Sequence, residues 1–327
     1  MQRVIIFGEC MVELYQLVEN VYHQNFAGDV FNTAVYLKRM QPALQVEFFS
    51  AIGTDLISDK LLAAVEAEKL GSQYLLRSKT ARPGLYMINT DAFGERSFVY
   101  WRDSSAAKQS LQLYRARLAA GGAGFIPQAA TGLAQTTQQP GWFYYSGISL
   151  AILSPADRAD LFALIREFKA QGGKVAFDPN YRPVLWQSVD SCREAFIEAY
   201  QLADLALPGL DDHQVLFGAR SCDDVITQLR ELGTSEIVVK NGKDGAWVFS
   251  DNEPVARHTP AVPVKKVVDT TAAGDSFNGG YLAARLAGRT PQQAASLAAA
   301  LAAFVVEHTG AIVNLDNFRS FKSRYPL

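Results

Sequence analysis

Cysteine is scarce in this sequence. The 327 residues carry three, Cys10, Cys192 and Cys222, an odd number, far apart and without a C-x-x-C pair. That excludes a disulfide framework and a thiolate zinc site and suits a reducing cytoplasm. An excess of charge of one sign is missing too. Lys plus Arg number 31 against 33 Asp plus Glu, a net charge of −2, so there is no field to attract a nucleic-acid backbone or an anionic membrane, and neither partner is expected. An anionic substrate must be held by a few placed cations. Long hydrophobic runs are absent as well. The most apolar stretch, residues 294–306, falls short of the ~18 residues that suggest a membrane span, and its alanines read as a helix lying close on a sheet. The opening Met1-Gln2-Arg3-Val4-Ile5-Ile6-Phe7-Gly8 leaves no room for the apolar segment of a secretion signal, so a cytoplasmic protein is expected. His23, His213, His258 and His308 show no ligand spacing and read as structural or solvated.

What is present points to an α/β protein. Apolar residues make 49% of the chain and charged residues 20%, the balance of a packed core, and the length admits one large domain or two smaller ones. Val4-Ile5-Ile6-Phe7-Gly8-Glu9 is a short unbroken apolar run ending at Gly, the pattern of a buried strand. It recurs at 142–145, Lys174–Asp178, 202–207 and Glu236–Lys240. Helical stretches lie between; Ser154-Pro155 opens one and Gly172-Gly173 closes it. The alternation predicts a mainly parallel sheet covered on both faces. A ligand then belongs beyond the strand carboxyl ends, at Gly8-Glu9, Ser146-Gly147, Asp178-Pro179-Asn180 and Lys240-Asn241-Gly242. Residues 11–25 and 82–102 break the rhythm and read as antiparallel strands, the second pair turning at Asp91-Ala92-Phe93-Gly94. They form either a small sheet of their own or an antiparallel edge of the main one. Residues 121–140, rich in Gly, Ala, Gln and Thr, read as a surface insertion. Trp142 and Trp247 read as packing.

The sharpest local pattern is Val268-Asp269-Thr270-Thr271-Ala272-Ala273-Gly274-Asp275-Ser276-Phe277-Asn278. A strand is expected to give way to small residues and then to an amphipathic helix bearing Phe277, Tyr281, Leu282, Arg285 and Leu286. Small side chains at 272–274 let an anion approach the backbone. The first N–H groups of a helix have no acceptor within it and, with the helix dipole, form an anion hole. At its mouth the Asp275 carboxylate can accept a hydroxyl proton while the N–H groups hold developing phosphoryl charge. The plainer alternative for Asp275 is an N-terminal cap. A second pattern, Phe26-Ala27-Gly28-Asp29-Val30-Phe31-Asn32-Thr33-Ala34, puts Asp29 and Asn32 on one face of a helix that starts at Asp29. That pair suits two sugar hydroxyls; Asp29 alone would be an ordinary cap.

In this order the two patterns resemble the two signatures of the ribokinase-like (phosphofructokinase-B-type) carbohydrate kinases. The family's second signature is D-T-x-G-A-G-D, and this chain reads D-T-T-A-A-G-D; its first has a Gly-Gly pair where this chain has Ala27-Gly28. Within the family the sequence is most similar to the branch that acts on 2-keto-3-deoxygluconate, through Gly8-Glu9-Cys10-Met11-Val12-Glu13-Leu14, Pro83-Gly84-Leu85-Tyr86, Tyr100-Trp101-Arg102 and Asp178-x-Asn180-Tyr181-Arg182-Pro183. The resemblance implies a three-layer α/β/α core from residues 1–10, 26–81 and 103–327. A small β-sheet lid, residues 11–25 and 82–102, would cover the sugar site.

It implies Asp275 as catalytic base and Ala272, Ala273 and Gly274 as the anion hole. Gly28, Asp29, Asn32, Tyr86, Tyr100, Arg102 and Arg182 would surround a sugar acid, and Asn180, Lys240, Gly242, Gly245, Gly274 and Asn278 would face ATP. Asp212 would meet Mg2+ through water, although Gly209 stands where relatives have the Asn of N-x-x-E. Asp269 and Thr271 would serve a monovalent cation such as K+, and the lid sheets would pair in a homo-oligomer. An arginine fork matches a carboxylate bidentately, whereas most surface arginines make only weak ion pairs. Two alternatives stay open: a neutral-sugar kinase of the same fold, and a non-catalytic sugar sensor.

Overall fold

Val4, Ile5, Ile6 and Phe7 are fully buried because they run through the middle of a nine-stranded sheet. A computed structural model of the chain describes residues 2–18, 20–90, 96–126 and 141–327. The expected turn at 91–94 and residues 127–140 of the expected insertion lie outside them. The described strands are β1 (Arg3–Phe7), β2 (Met11–Val18), β3 (Val21–Ala27), β4 (Gln45–Ile52), β5 (Leu75–Arg77), β6 (Leu85–Thr90), β7 (Arg96–Trp101), β8 (Trp142–Ser146), β9 (Lys174–Asp178), β10 (Leu205–Ala206), β11 (Glu236–Lys240), β12 (Ala246–Ser250) and β13 (Glu253–Thr259).

The large sheet runs β13-β12-β11-β10-β9-β8-β1-β4-β5. From β11 to β5 every pairing is parallel, and β12 and β13 add an antiparallel edge. Period-two alternation divides its residues between two cores. Val4 and Ile6 pack with the helices Asp29–Met40, Ala273–Leu286 and Pro291–Val306. Ile5 and Phe7 pack with Pro155–Ala170, Val189–Leu202 and Cys222–Glu231 on the other face. The result is the expected three-layer α/β/α arrangement. Ser154 caps its helix from the side chain, with Pro155 in the first turn, and 294–306 is core helix as read. Among the described residues no helix is long and apolar enough to cross a membrane.

The described parts of 11–25 and 82–102 form a separate four-stranded sheet, β3-β2-β6-β7. The two hairpins are antiparallel within themselves, but β2 and β6, which join them, are parallel. One face places Met11, Tyr86 and Ile88 against Ala272 and Ala311, so this sheet adjoins the turn before the Ala273–Leu286 helix. Two local expectations need correction, and one strand went unread. The helix before β10 continues to Leu202, leaving a two-residue strand in place of 202–207. No strand leads directly into 268–272, which is irregular. The unread strand is β4, internal to the sheet between β1 and β5; its buried Glu47 and Ser50 break the apolar run.

The helices Asp29–Met40 and Ala273–Leu286 cross closely because Gly279 is bare. A Cβ there would stand 2.8 Å from the Thr33 carbonyl oxygen and 3.0 Å from the Leu37 nitrogen. Gly→Ala in a helix ordinarily gains up to ~1 kcal/mol, but overpacking costs about 1–3 kcal/mol. Gly279→Ala is therefore expected to lower the denaturation midpoint, and a raised midpoint would show that the helices can part freely.

Candidate active site

The two helices that Gly279 brings together both begin at the carboxyl ends of the parallel strands. The second starts from Ala272, at φ 60° and ψ 16°, a left-handed conformation that costs an alanine about 1–2 kcal/mol. Ser276 N–H makes the first intrahelical bond, to Ala272 O at 2.8 Å, and Ala273 N–H turns back to Thr270 O at 3.2 Å. The N–H groups of Gly274 and Asp275 precede that ladder, as an anion hole requires. A Cβ on Gly274 would lie 3.7 Å from Lys240 Nζ, so an ammonium stands beside the small-residue turn.

Asp275 is tied to the first helix. Its Oδ2 accepts from Asn32 Nδ2 at 2.8 Å, and its backbone carbonyl accepts from Thr33 Oγ1 at 3.2 Å. Burial, aided by the negative charges of Asp29 and Asp178, pushes its carboxyl up to about 7; the Asn32 hydrogen bond and the Lys240 charge oppose this. The N-terminal cap alternative fails here, because the position before the helix is Ala272 and Asp275 lies inside the first turn. Asp29 opens the first helix, and burial raises its carboxyl too, against hydrogen bonds that include Asn180. Asn180, itself at φ 34°, donates from Nδ2 to Asp29 Oδ2 at 3.1 Å. Gly28 precedes Asp29 where a Cβ would meet Glu9 O at 2.4 Å.

Behind these groups lies a network that the sequence did not reveal. Asp178 accepts from Lys240 Nζ at 3.2 Å and from Asn278 Nδ2 at 2.6 Å. Asn278 also accepts from Lys240 Nζ at 3.2 Å and donates to Tyr144 OH at 3.0 Å. Gly242 (φ 50°) and Gly245 (φ 89°) shape the turn after Lys240 in left-handed conformations that favour glycine.

Toward the small sheet, Arg102 is buried and paired with Glu9, which also accepts from Ser105 Oγ. The Arg102 Nε finds no acceptor among the described residues. Tyr86 is buried, with its hydroxyl donated to Glu13. Tyr100 pairs directly with it across β6 and β7, ring centroids 5.8 Å apart, and is exposed. Arg182 is exposed, donating to Tyr181 O at 2.9 Å. Glu9 and Asp178 lie at strand carboxyl ends already expected to face the ligand but were assigned no role; Glu13 and Tyr144 were missed, and nothing local in the sequence marks them.

The metal candidates are held by protein groups. Asp212 Oδ2 accepts the Tyr181 N–H at 3.0 Å, and burial raises its carboxyl. Asp269 is buried and accepts the N–H of Thr271 at 2.9 Å and of Gly310 at 2.7 Å. Among the described residues no three His, Cys, Asp or Glu side chains gather as a metal site. The donor set here therefore fits a divalent ion only when phosphates and water complete its shell. His213 is buried and bonded to Tyr200 OH at 2.7 Å, a structural role as expected.

This geometry has counterparts. The 2-dehydro-3-deoxygluconokinase of Dickeya dadantii is 41% identical over 96% of this chain and 98% of its own. The enzyme of that name from Escherichia coli K12 is 39% identical over 95% of this chain and 97% of its own. A solved structure of fructokinase from Vibrio cholerae, in a form with fructose, ADP and calcium ion bound, superposes with a TM-score of 0.77 at 26% identity. It covers 98% of this chain and 99% of that one. The model of the pfkB family carbohydrate kinases matches residues 1–317, and the chain belongs to that family.

Proposed function

We propose that this protein transfers the γ-phosphoryl group of ATP to the terminal hydroxyl of 2-keto-3-deoxygluconate (2-dehydro-3-deoxygluconate), giving 2-keto-3-deoxy-6-phosphogluconate. The observation that carries this reading is the likeness to enzymes of that name over nearly the whole chain, 41% against 26% for the fructokinase. Asp275 takes the hydroxyl proton. Its raised proton affinity makes it a stronger base than an ordinary carboxylate at neutral pH. The N–H groups after Ala272, with Ala273 and Gly274, receive the transferring phosphoryl oxygens. Lys240, Gly242, Gly245, Asn180 and Asn278 line the nucleotide side. Mg2+, carried mainly on the phosphates, would neutralise their charge, with Asp212 reaching it through water; Asp269 and Thr271 would serve a monovalent cation such as K+. Gly28, Asp29 and Asn32 hold sugar hydroxyls. Tyr100 and Tyr86 wall the acceptor, and Arg102 and Arg182 meet its carboxylate.

The small sheet covers the acceptor as a lid. Val18, Val21, Tyr22, Phe98, Val99 and Trp101 are exposed on it, an apolar surface that would suit pairing of lid sheets in a homo-oligomer. Three buried, unpaired cysteines accord with work in the cytoplasm.

A second reading, a neutral-sugar kinase, draws on one observation: the Arg102 charge is already matched by Glu9. An ADP-release assay over sugar acids and plain hexoses separates the two. The keto acid is expected to exceed fructose in kcat/KM by on the order of 10⁴-fold, the scale at which a site built for a polar group rejects analogues lacking it. A preference for fructose would establish the second reading, and no ADP release with any sugar would leave a sensor.

A further inference from the structure

Asp178 ends β9 at 3% exposure, a carboxylate taken out of water at the strand carboxyl ends. Burying it is costly unless it is paired, and its partners are specific. Oδ1 accepts from Lys240 Nζ at 3.2 Å and from the Asn180 N–H at 3.3 Å; Oδ2 accepts from Asn278 Nδ2 at 2.6 Å. The Asn278 oxygen closes a ring by accepting from Lys240 Nζ at 3.2 Å. A lysine ammonium has three protons, and two of Lys240's go to acceptors that also bind each other. We propose that Asp178 is a positioning residue for phosphoryl transfer: it fixes the Lys240 ammonium beside the Ala272–Gly274 turn, and the two form a charge pair that balances the field on the Asp275 carboxylate. This rests on the reading of Asp275 as the base.

The ring does two things that a free lysine would not. A lysine stem carries about 2 kcal/mol of rotamer entropy, which folding settles before the nucleotide arrives. The third ammonium proton also stays available to a phosphate oxygen without breaking either bond. The field argument follows from what surrounds Asp275. The Asp29–Met40 helix presents Asp29, Asn32 and Thr33; β8 presents Tyr144, β9 presents Asp178, and β11 presents Lys240; its own helix adds Asn278. Of the charged groups, Asp29 and Asp178 favour the protonated carboxyl and Lys240 favours the carboxylate. Removing either member of the pair therefore moves Asp275 in opposite directions.

The test is the pH dependence of kcat/KM for the keto acid in Asp178→Asn, Lys240→Met and the double variant. The acid limb is expected to move to lower pH in Asp178→Asn and to higher pH in Lys240→Met, by about half a unit or more. In the double variant it should return toward the wild-type position. The kcat should fall in each single variant, with KM for the keto acid within about twofold of wild type, since neither side chain is placed at the acceptor. A purely structural role would lower thermal stability and leave the limb in place; an unmoved limb, or movement in one direction in both variants, overturns the proposal. If Asp178→Asn does not fold, Asp178→Glu is read in its place: the charge is kept but its hydrogen bond to Lys240 Nζ is displaced, so kcat should fall with the acid limb near its wild-type position, and an unchanged kcat overturns the proposal. Retained turnover in Asp275→Asn would instead defeat the reading of the base, a separate result.

Discussion

Asp275→Asn is expected to lower kcat by about 10²–10⁴ and to leave ATP binding intact. The amide keeps the shape of the side chain and still offers an oxygen to Asn32 Nδ2, 2.8 Å away in the parent, but it cannot take a proton. The N–H groups at the helix start belong to the backbone and remain, so nucleotide affinity measured by calorimetry should be little changed. The same carboxyl fixes the pH profile. Its proton affinity is pushed up to about 7 by burial and by Asp29, so wild-type kcat/KM should fall as pH drops through about 7. A second consequence concerns stability. The unfolded chain releases this proton near 3.8, so between there and about 7 the folded protein binds more proton than the unfolded one. Stability contributed by this group is present below that window and lost as pH rises through it. Asn removes the loss, so the unliganded variant should melt higher than wild type at pH 8, at the expense of activity. Near-normal turnover would sink the assignment.

The fold could be read from the strand runs because parallel strands buried on both faces are near-continuous in apolar residues, as in Val4–Phe7. The same logic hid β4. Its Glu47 and Ser50 are buried polar side chains whose presence in a strand interior depends on neighbours distant in sequence. The turn at 272–275 was legible because a run of small residues ahead of a helix is a pattern of consecutive residues. The network of Asp178, Asn278, Lys240 and Tyr144 was not, because its members come from the ends of β9 and β11, from within β8 and from a helix. The Asn32–Asp275 contact needs the close crossing that Gly279 allows, and no local pattern in either motif states that the two share a bond. Arg102 is the sharpest case. Its residue type and position suggested a carboxylate partner; the structure supplies a carboxylate, that of Glu9, from the chain itself.

That pairing dictates what happens when Arg102 is removed. Arg102→Met strands Glu9, 2% exposed, with Ser105 Oγ as its remaining hydrogen-bond donor in that cluster. Breaking a buried pair from one side costs about 3–5 kcal/mol, whereas replacing both partners is often close to neutral. The single variant is therefore expected to lose much of its thermal stability, and Glu9→Gln/Arg102→Met to recover most of it. Substrate affinity should not follow stability. The guanidinium fork can serve two carboxylates, one on Nη2, taken by Glu9, and one along its remaining donors, where Nε has no acceptor among the described residues. A charged hydrogen bond contributes about 1.5–3 kcal/mol, so KM for the keto acid should rise roughly 10–100-fold in the single and the double variant alike. KM for ATP should stay within about twofold, since that substrate loses no partner. Arg182→Met, which disturbs no buried pair, should raise KM for the keto acid without loss of stability. Recovery of the acid's KM in the double variant would mean that Arg102 serves only to neutralise Glu9. The substrate carboxylate would then have to be met by Arg182.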